Sequence, residues 1–257
     1  LHHDVIDTLA GAGAKVIQVD LPGPFNFSSK IDAGVRASTT DAILLLNDDT
    51  RFVGSDWPAI ILPILRDETV GAVGPLIRNP DGSLNSAGDA LTRTGPRHVD
   101  AFDLRHRPGL ADLLERDRDV SLLTGAALAV RRSVYDEVGG FDPAYPSAYG
   151  DVDFCLRIAR TGRRLVLTPR VVIVHRESST RSPEVSEQAL RYFRAQHPAS
   201  LRDDPLLPPL RLPFGRRIAR LLMPAVAKVY RWTIRPLLGG TGRRLIRGYL
   251  ESRELHK

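Results

Sequence analysis

Residues 43–50 read ILLLNDDT, an unbroken apolar run that ends in two adjacent carboxylates, Asp48 and Asp49. The run spans 41–47 without polar alternation, which predicts a strand covered on both faces, as in a parallel sheet flanked by helices. Ligands of open α/β sheets collect at the carboxyl ends of the strands, which is where the two aspartates fall. Adjacent carboxylates repel, and they stay ionised together more easily when a cation or hydrogen-bond donors compensate them. Hard oxygen ligands of this kind suit Mg2+ or Mn2+, above all when substrate phosphates complete the shell. The ordinary alternative is a strand-to-helix loop in which Thr50 or an aspartate caps the next helix. Other residues have to decide between the two.

Outward from this strand, β and α patterns alternate. AKVIQV (14–19) predicts a short strand, and 29–39, with Ile31, Gly34 and Val35 at helical spacing, a helix. Residues 57–67 read as a helix with Pro58 tolerable in its first turn and Pro63 a kink. A strand follows at 70–77 and a turn at 80–83. Residues 120–132 read as a strand broken by Gly125, SVYDEVGG as a short helix stopped by glycine, and 151–162 as a helix opened by aspartate and closed by Gly162. RRLVLTP and VVIVHRES supply two further strands. The alternation over the first 180 residues places the chain in the α/β class. A Pro-rich linker occupies 203–213.

Composition sets outer bounds. With 257 residues, 42% apolar and 26% charged, the chain has room for one large domain with an appendage. Its single cysteine, Cys155, allows no internal disulfide and no cysteine-based metal site, which fits a reducing compartment. No stretch approaches the ~20 apolar residues of a membrane span, and no secretory leader is visible. The net charge of +6 is unevenly spread: twelve Lys/Arg and two Glu fall in 205–257, leaving 24 basic against 28 acidic residues in 1–204. On a helical wheel of 214–236, Ile218, Leu221, Leu222, Ala225, Val229 and Trp232 share one face. Arg217, Arg220, Lys228, Arg231 and Arg235 share another. This amphipathic basic pattern suits an anionic membrane surface, while few aromatics and no recognised motif speak against nucleic acid. A helix packed on the domain with its arginines in water is the plainer reading.

A second pair of carboxylates, Asp151 and Asp153, stands at the start of the 151–162 helix. Capping and the helix dipole explain one of them in ordinary terms. The same position would also present a carboxylate to a cleft, where it could accept a proton from an attacking hydroxyl. His175 follows the VVIV strand and could join Asp49 on one cation. Cys155, beside Ile158 and Ala159, reads as a core residue.

Taken in order, FNFSSKIDAGVRASTTDAILLLNDDT, VGAVGPLI…DGSLNSAG, LLTGAALAVRRSVYDEVGGFDPAY, YGDVDFCLRIARTGRRLVLTP and VVIVHRESSTR resemble successive blocks of the family 2 glycosyltransferases. These are inverting enzymes of the GT-A fold that use nucleotide sugars. The subgroup that looks most similar is the rhamnosyltransferase-like and galactofuranosyltransferase-like enzymes of bacterial cell-surface polysaccharides. The resemblance covers roughly 14–182 and is more specific than any single motif. It implies that Asp49 is a metal ligand, that Asp48 and Asn26 lie on the donor side, and that Asp151 is the general base. It further implies that His175 joins the metal and that Thr124, Gly125 and Asp153 line the acceptor side. Gly150 stands where members often carry Glu, and the blocks begin after the family's opening strand, helix and strand.

The resulting expectation is an N-terminally incomplete GT-A domain at 1–200, a linker at 201–213 and a basic helical tail at 214–257. It would be a metal-dependent (Mg2+ or Mn2+) inverting transferase on the inner face of the plasma membrane. The transfer would move a sugar to a lipid-linked or polysaccharide acceptor: L-rhamnose from dTDP-rhamnose first, with galactofuranose, GlcNAc or another hexose as alternatives. Two rivals stand beside it: a membrane-associated domain without catalysis, and a nucleotidyltransferase. The latter would usually carry a Gly-rich, Lys-bearing phosphate loop, which the sequence lacks.

Overall fold

The decisive run folds as a strand, but at an edge of the sheet and not covered on both faces: Ile43 and Leu45 are buried, Ala42 and Leu44 only partly so, and Leu46 is exposed. α1 (Phe27–Ala37) leads into β1 (Ala42–Leu46), and Asn47, Asp48 and Asp49 connect β1 directly to β2 (Thr50–Val53). α2 (Trp57–Leu65), β3 (Val70–Arg78), the short strands β4 (Leu84–Ser86), β5 (Asp89–Leu91) and β6 (Pro96–His98), and α3 (Ala101–His106) follow. After β7 (Arg118–Val120) come β8 (Ala127–Arg131), α4 (Arg132–Glu137), α5 (Gly150–Arg160), β9 (Arg164–His175) and α6 (Pro183–Gln196). The computed structural model describes residues 15–107, 110, 114–176 and 183–208. The chain divides into units at Leu210/Arg211, and the second unit, with the predicted basic helix at 214–236, lies outside the described residues.

The main sheet has the strand order β1-β8-β3-β9-β2, with β4 beside the end of β3 and β7 beside the start of β9. β3 and β9 are parallel, and β8 runs against both β1 and β3, so β1, β3 and β9 point their carboxyl ends at one rim. The sheet is therefore mixed. Eight of the nine residues of β3 are buried, which makes it the centre of the sheet.

β1 and β2 lie on opposite edges of this order, yet only Asn47–Asp49 separate them. Four chain steps reach at most about 14 Å, whereas four strand spacings in a flat sheet span about 19 Å. The sheet must therefore curl until its two edges approach at the carboxyl rim. The aspartates occupy the stitch that closes it.

Side-chain alternation covers both faces, which is why the strands read as continuous apolar runs. Ile43 and Leu45 of β1, Ala72 and Leu76 of β3, and Leu128 and Val130 of β8 join the cluster that includes Phe154 and Ile158 of α5. Leu44, Val73, Ala129 and Val166 join a second cluster with Ile61 and Leu65 of α2. Two adjacent arginines hold helix ends to the sheet. Arg131 donates to the carbonyls of Leu65, Asp67 and Val70 after α2, and Arg132 donates to those of Thr40, Val35 and Ser38 after α1. Each satisfies carbonyls left over at a helix C-terminus.

Three further expectations are corrected. Lys15–Val19 form no strand; Ile17 and Val19 are exposed, and an extended segment without a ladder partner is not held as a strand. The two strands expected around Pro169 are one, β9, which absorbs the proline at a register shift opposite Pro75 and Leu76. The start of the predicted linker is docked: Asp204 is buried and accepts from Leu91 N (2.9 Å), Ser121 Oγ (2.6 Å) and Leu206 N (2.9 Å). No helix among the described residues is long and apolar enough to cross a membrane.

Candidate active site at the carboxyl rim of the sheet

β2 descends from the rim antiparallel to β9, with Thr50 opposite His175. Arg176 N donates to Asp49 O (3.0 Å), so the two chain segments are locked by backbone before their side chains meet. They do meet: His175 Nε2 lies 3.0 Å from Asp49 Oδ1, with His175 buried and Asp49 partly buried. Asp48, on the same turn, is exposed. Sequence separation of well over a hundred residues is closed by one strand pairing.

The other side of the rim is built from β8. Asn47 N donates to Ala126 O (3.0 Å), continuing the β1–β8 ladder into the Asp48–Asp49 turn. One residue earlier, Gly125 N donates to Asp151 Oδ2 (2.8 Å), and Val152 N donates to Asp151 Oδ1 (2.9 Å). Gly125 packs closely here: a Cβ would sit 3.3 Å from Asp151 Cβ, a tight contact, and 3.5 Å from Phe27 Cε1. Thr124 is half-buried, and its Oγ1 accepts from Ala126 N (3.3 Å). Asp49, His175, Thr124, Gly125 and Asp151 are thus strung along one hydrogen-bonded rim.

Asp153 and Asn26 are placed elsewhere. Successive helical residues turn about 100°, so Asp151 and Asp153 face nearly opposite ways. Asp153 is buried with Oδ1 2.7 Å from His197 Nε2 and Oδ2 2.8 Å from Arg157 Nε. Both oxygens are committed to the fold, which replaces the acceptor-side role expected for this residue. Asn26 is the N-cap of α1: its Oδ1 accepts from Ser29 N (2.9 Å) and its Nδ2 donates to Pro143 O (2.8 Å). One hydrogen and one lone pair of its amide thus serve the cap and the 141–149 loop.

His197 and Tyr149 were not anticipated. Tyr149 immediately precedes α5 and has φ 67°, the one positive φ at a non-glycine residue among those described. Nothing in a Tyr-Gly-Asp string signals that conformation; His197 carried only the weak signal of a histidine at a helix end before Pro198.

The Asp49–His175 pair fits a hard or borderline divalent ion. Two adjacent ligands each about 2.1 Å from an octahedral ion are about 3.0 Å apart, which is the separation seen. No group of three or more His, Cys, Asp or Glu among the described residues forms a full cage. Substrate oxygens and water would complete such a shell in the arrangement usual for ions that act on phosphates.

The sequence profile described as glycosyltransferase like family 2 matches residues 3–195. The chain is similar to the O-antigen biosynthesis protein RfbC of Myxococcus xanthus, 26% identical over 68% of this chain and 14% of that protein. It is 33% identical to the N-acetylglucosaminyl-diphospho-decaprenol L-rhamnosyltransferase of Mycobacterium tuberculosis over 54% of this chain and 48% of that one. It is 27% identical to the pre-mycofactocin glycosyltransferase of the same organism over 94% of this chain and 49% of the other. The chain therefore spans half or less of the length of these curated relatives. Among solved structures, GalNAc-T7 with UDP, GalNAc and Mn2+ superposes with a TM-score of 0.61 at 15% identity, covering 77% of this chain and 40% of that one. That likeness concerns the fold, and it assigns the mixed sheet to the GT-A class. On the match of its sequence from residue 3 to residue 195, the chain belongs to the glycosyltransferase like family 2.

Proposed function

We propose that the chain is the catalytic domain of a metal-dependent inverting glycosyltransferase. It would move L-rhamnose from dTDP-rhamnose to a lipid-linked or polysaccharide acceptor of the cell envelope. The observation that carries this reading is the meeting of His175 and Asp49 at 3.0 Å on the rim where Gly125 holds Asp151. Asp151 Oδ2 accepts from Gly125 N and its Oδ1 from Val152 N, which set the two carboxylate oxygens at the rim. One of these takes the proton of the acceptor hydroxyl as its oxygen bonds to C1 of the sugar and the nucleoside diphosphate leaves from the opposite side. Asp49 and His175 would hold Mg2+ or Mn2+, and such an ion when bound would supply positive charge beside the departing diphosphate. Exposed Asp48 meets the donor, and Thr124 and Gly125 face the acceptor. The rhamnosyl choice rests on the relative that names L-rhamnose and a diphospho-decaprenol acceptor. A lipid-linked acceptor also gives the basic 214–236 segment a purpose, holding the enzyme on an anionic membrane surface.

The test uses dTDP-L-rhamnose, Mn2+ and a synthetic N-acetylglucosaminyl diphospho-lipid. Asp151→Asn should lose at least about a hundredfold in transfer while Mn2+-dependent dTDP-rhamnose binding by calorimetry persists. Asp49→Ala should lose the metal-dependent part of that binding. No Mn2+-dependent heat with any nucleotide sugar would leave the domain a non-catalytic membrane partner. Removing 211–257 should release the protein from phosphatidylserine vesicles, and retained binding would discard the membrane role of the tail.

A further inference from the structure

We propose that His197 is a positioning residue for Asp151, acting through Asp153 from the far side of α5. His197 is 2% exposed, just past α6. Its Nδ1 lies 2.7 Å from Arg160 Nη2 and its Nε2 2.7 Å from Asp153 Oδ1. A guanidinium only donates, so Nδ1 must accept from Arg160. The ring proton therefore sits on Nε2 and is donated to Asp153. Arg160, His197 and Asp153 form a one-way chain of donors with a single tautomer.

α6 grips the start of α5 a second time. Phe193 stacks on Tyr149 (centroids 5.6 Å apart, 22°) and lies 5.0 Å from the His197 ring. Tyr149 holds the disfavoured left-handed conformation directly before the helix. Between Tyr149 and Asp153 the helix packs closely on α1: a Cβ on Gly150 would lie 2.9 Å from Ser28 Oγ, itself donating to Tyr145 O (2.7 Å). Asp151 lies between two residues clamped from behind and faces the Gly125 amide in front. Its setting against Gly125 is thus fixed by a residue 46 positions later in sequence that does not touch the rim.

The catalytic consequence rests on Asp151 being the base, whereas the geometric coupling does not. The experiment reads both on the full chain. Hydrogen exchange at the Gly125 amide, the donor to Asp151, should quicken about tenfold in His197→Leu. It should stay near wild type in His197→Gln, whose amide can both accept from Arg160 and donate to Asp153. In the rhamnosyl assay His197→Leu should lower kcat about a hundredfold through misplacement of the base, leave the donor KM unchanged, and be rescued by Gln. Should His197→Leu fail to fold, Arg160→Met, an exposed position, frees the tautomer and should quicken Gly125 exchange in the same direction. Unchanged Gly125 exchange in folded His197→Leu or in Arg160→Met overturns the coupling, as does equal damage by Leu and Gln. If Gly125 responds while Asp151→Asn keeps full transfer, the positioning stands and the base assignment falls.

Discussion

Asp151 and Asp153 are the same residue two positions apart, and the helix sends them to different chemistry. A sequence reader sees one acidic pair; the 200° between them decides that one meets Gly125 at the rim and the other His197 and Arg157 in the interior. Their variants should differ accordingly. Asp153→Asn strips a buried charge from Arg157 and should cost about 3 kcal/mol in urea unfolding. Asp151→Asn should cost less, about 1 kcal/mol, because an amide can accept only one of the two backbone N–H groups that the carboxylate takes. Cys155 is another case in which environment overrides identity. Burial pushes its thiol far above the usual range, and the thiol donates to Leu123 O at 3.4 Å. Iodoacetamide should leave native protein unlabelled at neutral pH and modify Cys155 only as urea unfolds the chain. Labelling at native conditions would mean that α5 opens.

At the scale of elements, legibility followed the length of the pattern. The apolar runs within 41–47 and 70–77 are longer than a turn, so β1 and β3 were readable as strands; burial on both faces holds for β3, whereas β1 at the sheet edge alternates. β4, β5 and β6 have three residues each, too short for any period to register. The 14–19 run read as a strand because local propensity cannot tell whether a ladder partner exists. β9 was split in two because Pro169 looks like a stop, whereas the sheet passes it with a register shift. That Asp49 and His175 share one cation was posed from residue types and implied by the resemblance, but no local pattern says which strands pair to bring them together. Glycine on β3 makes a further element-scale point. A Cβ at Gly71 would strike Ile158 of α5 and sit 3.2 Å from Arg163 Cβ, so α5 approaches the sheet as closely as backbone permits. Gly71→Ala should destabilise by about 1–3 kcal/mol. By displacing α5 it should also lower transfer more than the folded fraction explains. Activity that tracks the folded fraction alone would separate α5 placement from catalysis.

The molecule as a whole distributes its buried charge unevenly, and acid should expose that. Of the four buried aspartates among the described residues, Asp89, Asp103 and Asp204 belong to the layer formed by 84–107, 118–122 and 201–208; only Asp153 belongs to α5. The main sheet shares one apolar cluster with that layer, through Ala90, Leu91, Val99 and Leu122, and has a second against α2, and neither loses its hold in acid. Asp103 is the keystone of that layer, with Arg97 Nη2 and Arg107 Nε each donating to its Oδ1 at 2.7 Å, while Arg107 also reaches Pro208 O. Burial alone would raise its carboxyl, but the hydrogen bonds and charges of Arg97 and Arg107 outweigh that and hold it below the ordinary carboxylate range. A carboxyl whose folded value is depressed stabilises fully above the unfolded value, about pH 4. That stability drains as pH falls through the folded value. Acidification below pH 4 should therefore quicken amide exchange in 84–107 and 201–208 before it touches β3 and β9. Asp103→Asn should reproduce that loosening at pH 7, at a cost of about 3 kcal/mol for two arginines left without their counter-charge, and should flatten the acid limb of stability. A variant whose stability falls with acid as steeply as wild type would move the acid sensitivity to other carboxylates. Simultaneous exchange of sheet and layer at every pH would show instead that the unit unfolds as one.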